Sequence, residues 1–92
     1  MQHTELLDSR KKVEKIDAQI LSLLKKRFVL TEKIQSIKHI LGLPIWQKAR
    51  EKALLNKYTA AALKKGLPPS LVKNLCRLLF SYGKKTGIIK RF

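Results

Sequence analysis

From Thr4 to Leu41 the chain contains neither proline nor glycine, and one helical register of apolar residues runs through nearly all of it. A 3–4–3–4 spacing picks out Val13, Ile16, Ile20, Leu23, Arg27, Leu30, Ile34, Ile37 and Leu41. All but one of these are aliphatic, the pattern of a helix that buries a single stripe. Thr4 fits an N-cap, and Asp8 lies early enough to favour the positive end of the helix dipole. Gly42 followed by Pro44 gives the order expected at a helix stop. The result is one helix of roughly 37 residues, about 55 Å long. A globule of 92 residues is only about 25–30 Å across. Such a helix cannot bury its stripe within one chain, so the sequence predicts a two-fold dimer built on long helices.

The exception in the stripe is Arg27, whose guanidinium sheds its charge least readily of all side chains. Left unpaired and buried it would cost several kcal/mol, on the order of the penalty for breaking a buried ion pair, so a partner anion is expected. The acids nearest in sequence are Glu14, Asp17 and Glu32, and none lies on the stripe. Two sources of negative charge stay open: a bound anionic ligand, and an acid on a partner helix that Arg27 reaches from the edge of the stripe.

Beyond the Gly42–Pro44 break, residues 46–65 read as a second helix carrying Ala49, Ala53, Leu54, Ala61 and Ala62, ended by Gly66. Pro68-Pro69 starts a third, over about 69–82, since proline suits a first turn. Residues 83–92 form a basic tail. The whole chain, residues 1–92, reads as one all-α domain of three helices with a very long first helix. The single cysteine, Cys76, sits among Leu75, Leu78 and Leu79 and reads as a packing residue. No run of about 20 apolar residues predicts a membrane span. The first residues lack a signal-peptide layout, so a cytoplasmic protein is expected.

The charge is unusual: 21 Lys and Arg against 6 Asp and Glu give a net +15. A surface of that kind attracts anions, from metabolites to nucleic acid. Nucleic-acid binding ranks last, because no aromatic–basic interleaving suggests base stacking and the third helix has no clear recognition face. His3 and His39 have no metal-ligand partner at useful spacing, so no metal site is expected. The informative cations are those in phase. Lys38 follows Arg27 by close to three helical turns and projects from nearly the same face, about 16 Å away. Two long side chains leaning together there can hold a small dianion. Arg10 precedes Arg27 by about 25 Å along the helix and cannot reach the same ligand from the same subunit. In an antiparallel dimer it could reach the partner's.

These residues resemble the all-α, AroQ-type chorismate mutases over nearly the whole chain. Leu6-Leu7-x-x-Arg10-Lys11-Lys12-Val13-x-x-Ile16-Asp17 looks like that family's opening. Ile20-Leu21-x-Leu23-Leu24-x-x-Arg27 and Ile34-x-x-Ile37-Lys38, then Gly42-Leu43-Pro44-Ile45, continue it, and Arg50-Glu51 with Leu54-Leu55 fits the next block. The ordered spacing carries more weight than any one motif. The resemblance implies an intertwined homodimer that converts chorismate to prephenate by an intramolecular Claisen rearrangement, without cofactor. It implies that Arg27 grips one carboxylate and Arg10 of the other subunit the second. Lys38 would reach a carboxylate and the breaking ether oxygen. Glu51 would accept a hydrogen bond from the substrate hydroxyl, with Arg50 in electrostatic support.

Three positions depart from the family pattern. Gln47 stands where many members have an acid. Gly83 and Gly87 occupy third-helix positions at which the family usually has a Ser, or similar residue, and a Gln or Glu. The latter donates to the ether oxygen opposite the lysine, and Lys84 and Lys85 are the nearby substitutes. Those glycines keep two other readings open. One is a related pericyclic enzyme, such as an isochorismate pyruvate lyase or a mutase acting on an amino analogue of chorismate. The other is a catalytically impaired domain that binds a ligand or partner.

Overall fold

The computed structural model describes residues 2–85, which form three α-helices with no strand among them: α1 (Gln2–Leu41), α2 (Lys48–Lys64) and α3 (Pro69–Gly83). α1 is 40 residues long and sets the longest dimension, 61 Å against 32 and 14 Å. It starts at Gln2, which places Thr4 inside the first turn rather than at the cap. α2 starts at Lys48, two residues later than the apolar pattern suggests. Its cap is Gln47, whose extended backbone accepts from the Glu51 amide.

Both loops begin with the same device. Gly42 (φ 69°) and Gly66 (φ 73°) take the left-handed conformation, which only glycine adopts without penalty. After α1, the Gly42 amide donates to the His39 carbonyl (3.2 Å) and the Leu43 amide to the Lys38 carbonyl (2.8 Å). After α2, Gly66 donates to Leu63 (3.2 Å) and Leu67 to Ala62 (2.9 Å). These are Schellman motifs, which satisfy carbonyls that a helix end leaves without partners. Pro69 opens α3 at its first turn, where a missing amide is harmless.

α3 packs along α2 and also contacts α1. Apart from Arg27, the α1 residues it helps to cover are not those of the first stripe. Leu24, Arg27, Phe28, Thr31, Glu32, Gln35 and Lys38 are the buried or half-buried ones. Leu24, Phe28, Thr31, Gln35 and Lys38 form a second stripe, one residue on from the first and rotated by about 100°. Phe28 meets Tyr82 edge-on at 6.4 Å between ring centroids. The eight aliphatic positions of the first stripe remain 45–64 % exposed. Throughout residues 3–23 every side chain is exposed. The buried interior of the single chain is small, with Ala62 and Cys76 its fully enclosed apolar residues among those described. Beyond the α2–α3 packing that encloses Ala62, coverage of α1 is confined to its C-terminal half, from Leu24 to Lys38.

Nothing lies within 4 Å of a methyl group placed on Gly66, so a substitution there tests backbone conformation alone. Gly66→Ala is expected to lower stability by about 1 kcal/mol in urea melts at fixed protein concentration, the left-handed penalty less the entropy gained by the unfolded chain.

Candidate active site

Where α3 crosses α1 and the α1–α2 loop folds back, the three helices enclose a cavity of about 360 Å³. That is at the small end of the range for small-molecule sites, about 300–1,000 Å³. Arg27 and Lys38 reach it from α1, Gln47, Arg50 and Glu51 from the start of α2, and Gly83 and Lys84 from the end of α3. Among the described residues the lining thus carries four cations, Arg27, Lys38, Arg50 and Lys84, against one acid, Glu51.

The cations are held mainly by neutral groups. Arg27, half-buried, donates to the Leu79 carbonyl at 3.4 Å and lies 6.0 Å from the centroid of the Phe80 ring. A guanidinium has five N–H donors, so this long bond to a carbonyl leaves most of its capacity unused. The anion expected for Arg27 is therefore not supplied by this contact. Lys38, in the last turn of α1, donates to the Ile45 carbonyl at 3.0 Å and so ties the loop back to the helix. Glu51 occupies the first turn of α2, where a carboxylate complements the helix dipole. Its Oε2 pairs with Lys84 Nζ at 2.9 Å, and that ammonium also sits 4.8 Å from the centroid of the Trp46 ring.

Gln35 went unremarked in the sequence, yet it is the most enclosed polar side chain described, 7 % exposed. Its Nε2 donates to the Gly83 carbonyl at 2.9 Å, while its Oε1 is buried without a partner among the described residues. An unsatisfied buried acceptor costs about 1–3 kcal/mol. Gly83 packs against Arg27 and Thr31: a methyl group placed on it would lie 3.6 Å from Arg27 Nη1 and 3.6 Å from Thr31 Cγ2, ordinary contact distances. The site thus tolerates a small side chain at 83, and glycine is not sterically required.

Of the residues singled out in the sequence, Arg27, Lys38, Gln47, Arg50, Glu51 and Gly83 come together here. Arg10 does not. It lies on the exposed N-terminal half of α1, beside Ser9, Val13 and Glu14, about 25 Å along the helix from Arg27. Gly87 lies outside the described residues. Among the described residues no group of three or more His, Cys, Asp or Glu side chains is arranged to hold a metal ion, and no helix is long and apolar enough to cross a membrane.

Residues 9–86 match the profile of the family described as chorismate mutase type II. The chain belongs to that family. Among curated relatives it is 32 % identical to a T-protein from Haemophilus influenzae over 72 residues, 78 % of this chain and 19 % of the relative. It is 33 % identical to a T-protein from Enterobacter agglomerans over 73 residues, 79 % of this chain and 20 % of the relative. The chain thus spans about a fifth of the length of these relatives. No solved structure matches it significantly. The family match takes in Arg10 and every residue named around the cavity, and it ends before Gly87.

Cys76, on α3, is buried. Burial pushes its thiol up from the ordinary range, and the charge of Arg27 offsets this only in part. The unfolded thiol therefore ionises first as pH rises, the unfolded chain binds fewer protons, and stability falls. Wild type is expected to lose stability above about pH 8.5, a loss that Cys76→Ala does not share. Paired urea melts on either side of that pH check it.

Proposed function

We infer that the chain is a chorismate mutase: it converts chorismate to prephenate by electrostatic preorganisation, as a homodimer. The observation that carries this reading is the cavity's charge, four cations around a single acid, in a member of the chorismate mutase type II family. The reaction is intramolecular. An ether C–O bond breaks as a C–C bond forms, with no proton or electron exchanged with the protein, so no cofactor is required. The catalyst must hold a flexible dicarboxylate in its compact conformer and stabilise charge separating between the two halves. Fixed cations do both.

In this scheme Arg27 grips one carboxylate. Lys38 reaches a carboxylate and the ether oxygen, Glu51 accepts from the substrate hydroxyl, and Arg50 supports it through its charge. Gln47 stands at the cavity wall near the same hydroxyl. The second carboxylate falls to Arg10 of another subunit. Support for a second chain comes from the exposed aliphatic stripe. Full burial of one aliphatic side chain is worth about 1.5–3 kcal/mol, so eight half-covered ones leave on the order of 10 kcal/mol per chain unrealised. That rivals the whole net stability of a small domain. A second copy of α1 presents the same stripe and carries Arg10 towards the opposite cavity.

Purified protein should sediment as a dimer and convert chorismate to prephenate, followed by loss of chorismate absorbance. Arg27→Ala should lower kcat/KM by about a thousandfold, the upper range for one lost electrostatic contact, with the dimer retained. Arg10→Ala should be similarly impaired. Equal mixing of the two variants, after dissociation and reassembly, should restore about a quarter of wild-type activity, because each mixed dimer holds one intact site. Restoration of none would place Arg10 outside the site. An inactive wild type, tested on isochorismate as well, would leave a binding role.

A further inference from the structure

The reaction scheme above uses neither Lys84 nor Gln35, although both line the cavity. Lys84 is the first residue after α3, and its ammonium is fixed from two sides. Glu51 Oε2 lies 2.9 Å away and the Trp46 ring centroid 4.8 Å away. An ammonium carries three N–H donors, and Glu51 takes one. Its side chain remains 33 % exposed, so the other donors are open to the cavity it lines. Lys38 stands on the α1 wall of the same cavity and Lys84 on the α3 wall. A ligand oxygen between those walls meets ammonium groups from both.

What fixes the end of α3 is Gln35. The last carbonyls of a helix have no intrahelical donor. The Gly83 carbonyl, one residue before Lys84, takes its bond from Gln35 Nε2 at 2.9 Å. The carboxamide is held inside the protein at 7 % exposure with its oxygen unpartnered. That arrangement is unfavourable for folding, so the side chain is a poor choice if its work is packing alone. The carbonyl demands a donor, and an amide one turn before Lys38 supplies it. Gln35 therefore links the wall bearing Lys38 to the helix end that bears Lys84.

We propose that Lys84 contacts the ligand, its ammonium donating to the oxygen that gains negative charge in the reaction, and that Gln35 is its positioning residue. The proposal rests on the mutase reading, in which that oxygen is the ether oxygen of the breaking C–O bond. The ammonium keeps its protons throughout and acts by charge and hydrogen bonding alone. Glu51 is then doubly placed: it orients Lys84 and keeps an oxygen for a ligand hydroxyl.

The test is steady-state chorismate turnover by the full chain, with dimer content and thermal melts recorded for each variant. Lys84→Met is expected to lower kcat by about a hundredfold with a smaller change in KM, as for loss of one preorganised donor. Lys84→Arg, which keeps charge and donors, should stay within about tenfold of wild type, and Lys84→Gln, a neutral donor, should fall between. Gln35→Leu should lower kcat without lowering the melting temperature, and should add nothing in the Lys84→Met background. Wild-type kcat in Lys84→Met overturns the proposal and leaves the mutase reading intact, as does equal loss in Lys84→Met and Lys84→Arg. Fully additive losses overturn the role of Gln35. If the wild type turns over no chorismate, the mutase reading fails, and calorimetric titration with chorismate decides on Lys84. Binding at least about tenfold weaker in Lys84→Met than in wild type supports the contact. Equal binding, or none to either, removes it.

Discussion

Two stripes on one helix organise this protein. α1 carries an aliphatic stripe and, one residue on, a mixed stripe of Leu24, Phe28, Thr31, Gln35 and Lys38, and a single chain covers only the second. Had α3 docked squarely on the aliphatic stripe, the apolar surface would be satisfied and Gln35 and Lys38, about 100° round the helix, would be turned away from the α2–α3 pair. Docking on the mixed stripe leaves the apolar surface open and turns Arg27, Gln35 and Lys38 towards the other helices. The cavity and the exposed seam are consequences of that one choice of face.

The order of the elements follows from the same geometry. A Schellman motif turns the chain at Gly42, and Lys38 then secures the returning loop through the Ile45 carbonyl. Gln47 and Glu51 are thereby delivered to the cavity at the start of α2. A second motif at Gly66 sends α3 back along α2, and its last turn meets α1 at Arg27, Thr31 and Gln35. The α3 wall is positioned by a helix end, where the Gly83 carbonyl, lacking a helical partner, recruits the Gln35 amide from α1.

Much of this was legible in the residues and some was not. The unbroken register to Leu41, the two Gly stops and the Pro start are local signals, and they locate three helices to within about two residues, the usual precision of helix ends. Arg27, Lys38, Arg50 and Glu51 were readable because phase on a helix and proximity to a turn are sequence properties. Gln35 was not, because burial of a polar residue off the aliphatic register depends on where α3 lands. The 4–3–4–3 spacing of Leu24, Phe28, Thr31, Gln35 and Lys38 was present as a signal, but three of its five members are polar and it was overshadowed by the stronger stripe. The ion pair of Lys84 with Glu51 spans two helices and belongs to tertiary packing alone.

The hold on Arg27 and Lys38 has a thermodynamic side. Leu79 and Ile45 orient these cations through their carbonyls and leave their charge unneutralised. With Arg50 and Lys84 nearby against one carboxylate, mutual repulsion is built into the folded state and is relaxed when the chain opens. An anion that occupies the cavity reverses the sign of that contribution, and by linkage it binds the folded form in preference to the unfolded one. The empty site works against the fold, and the filled one works for it. Resistance to unfolding should therefore climb with the concentration of any anion that binds there.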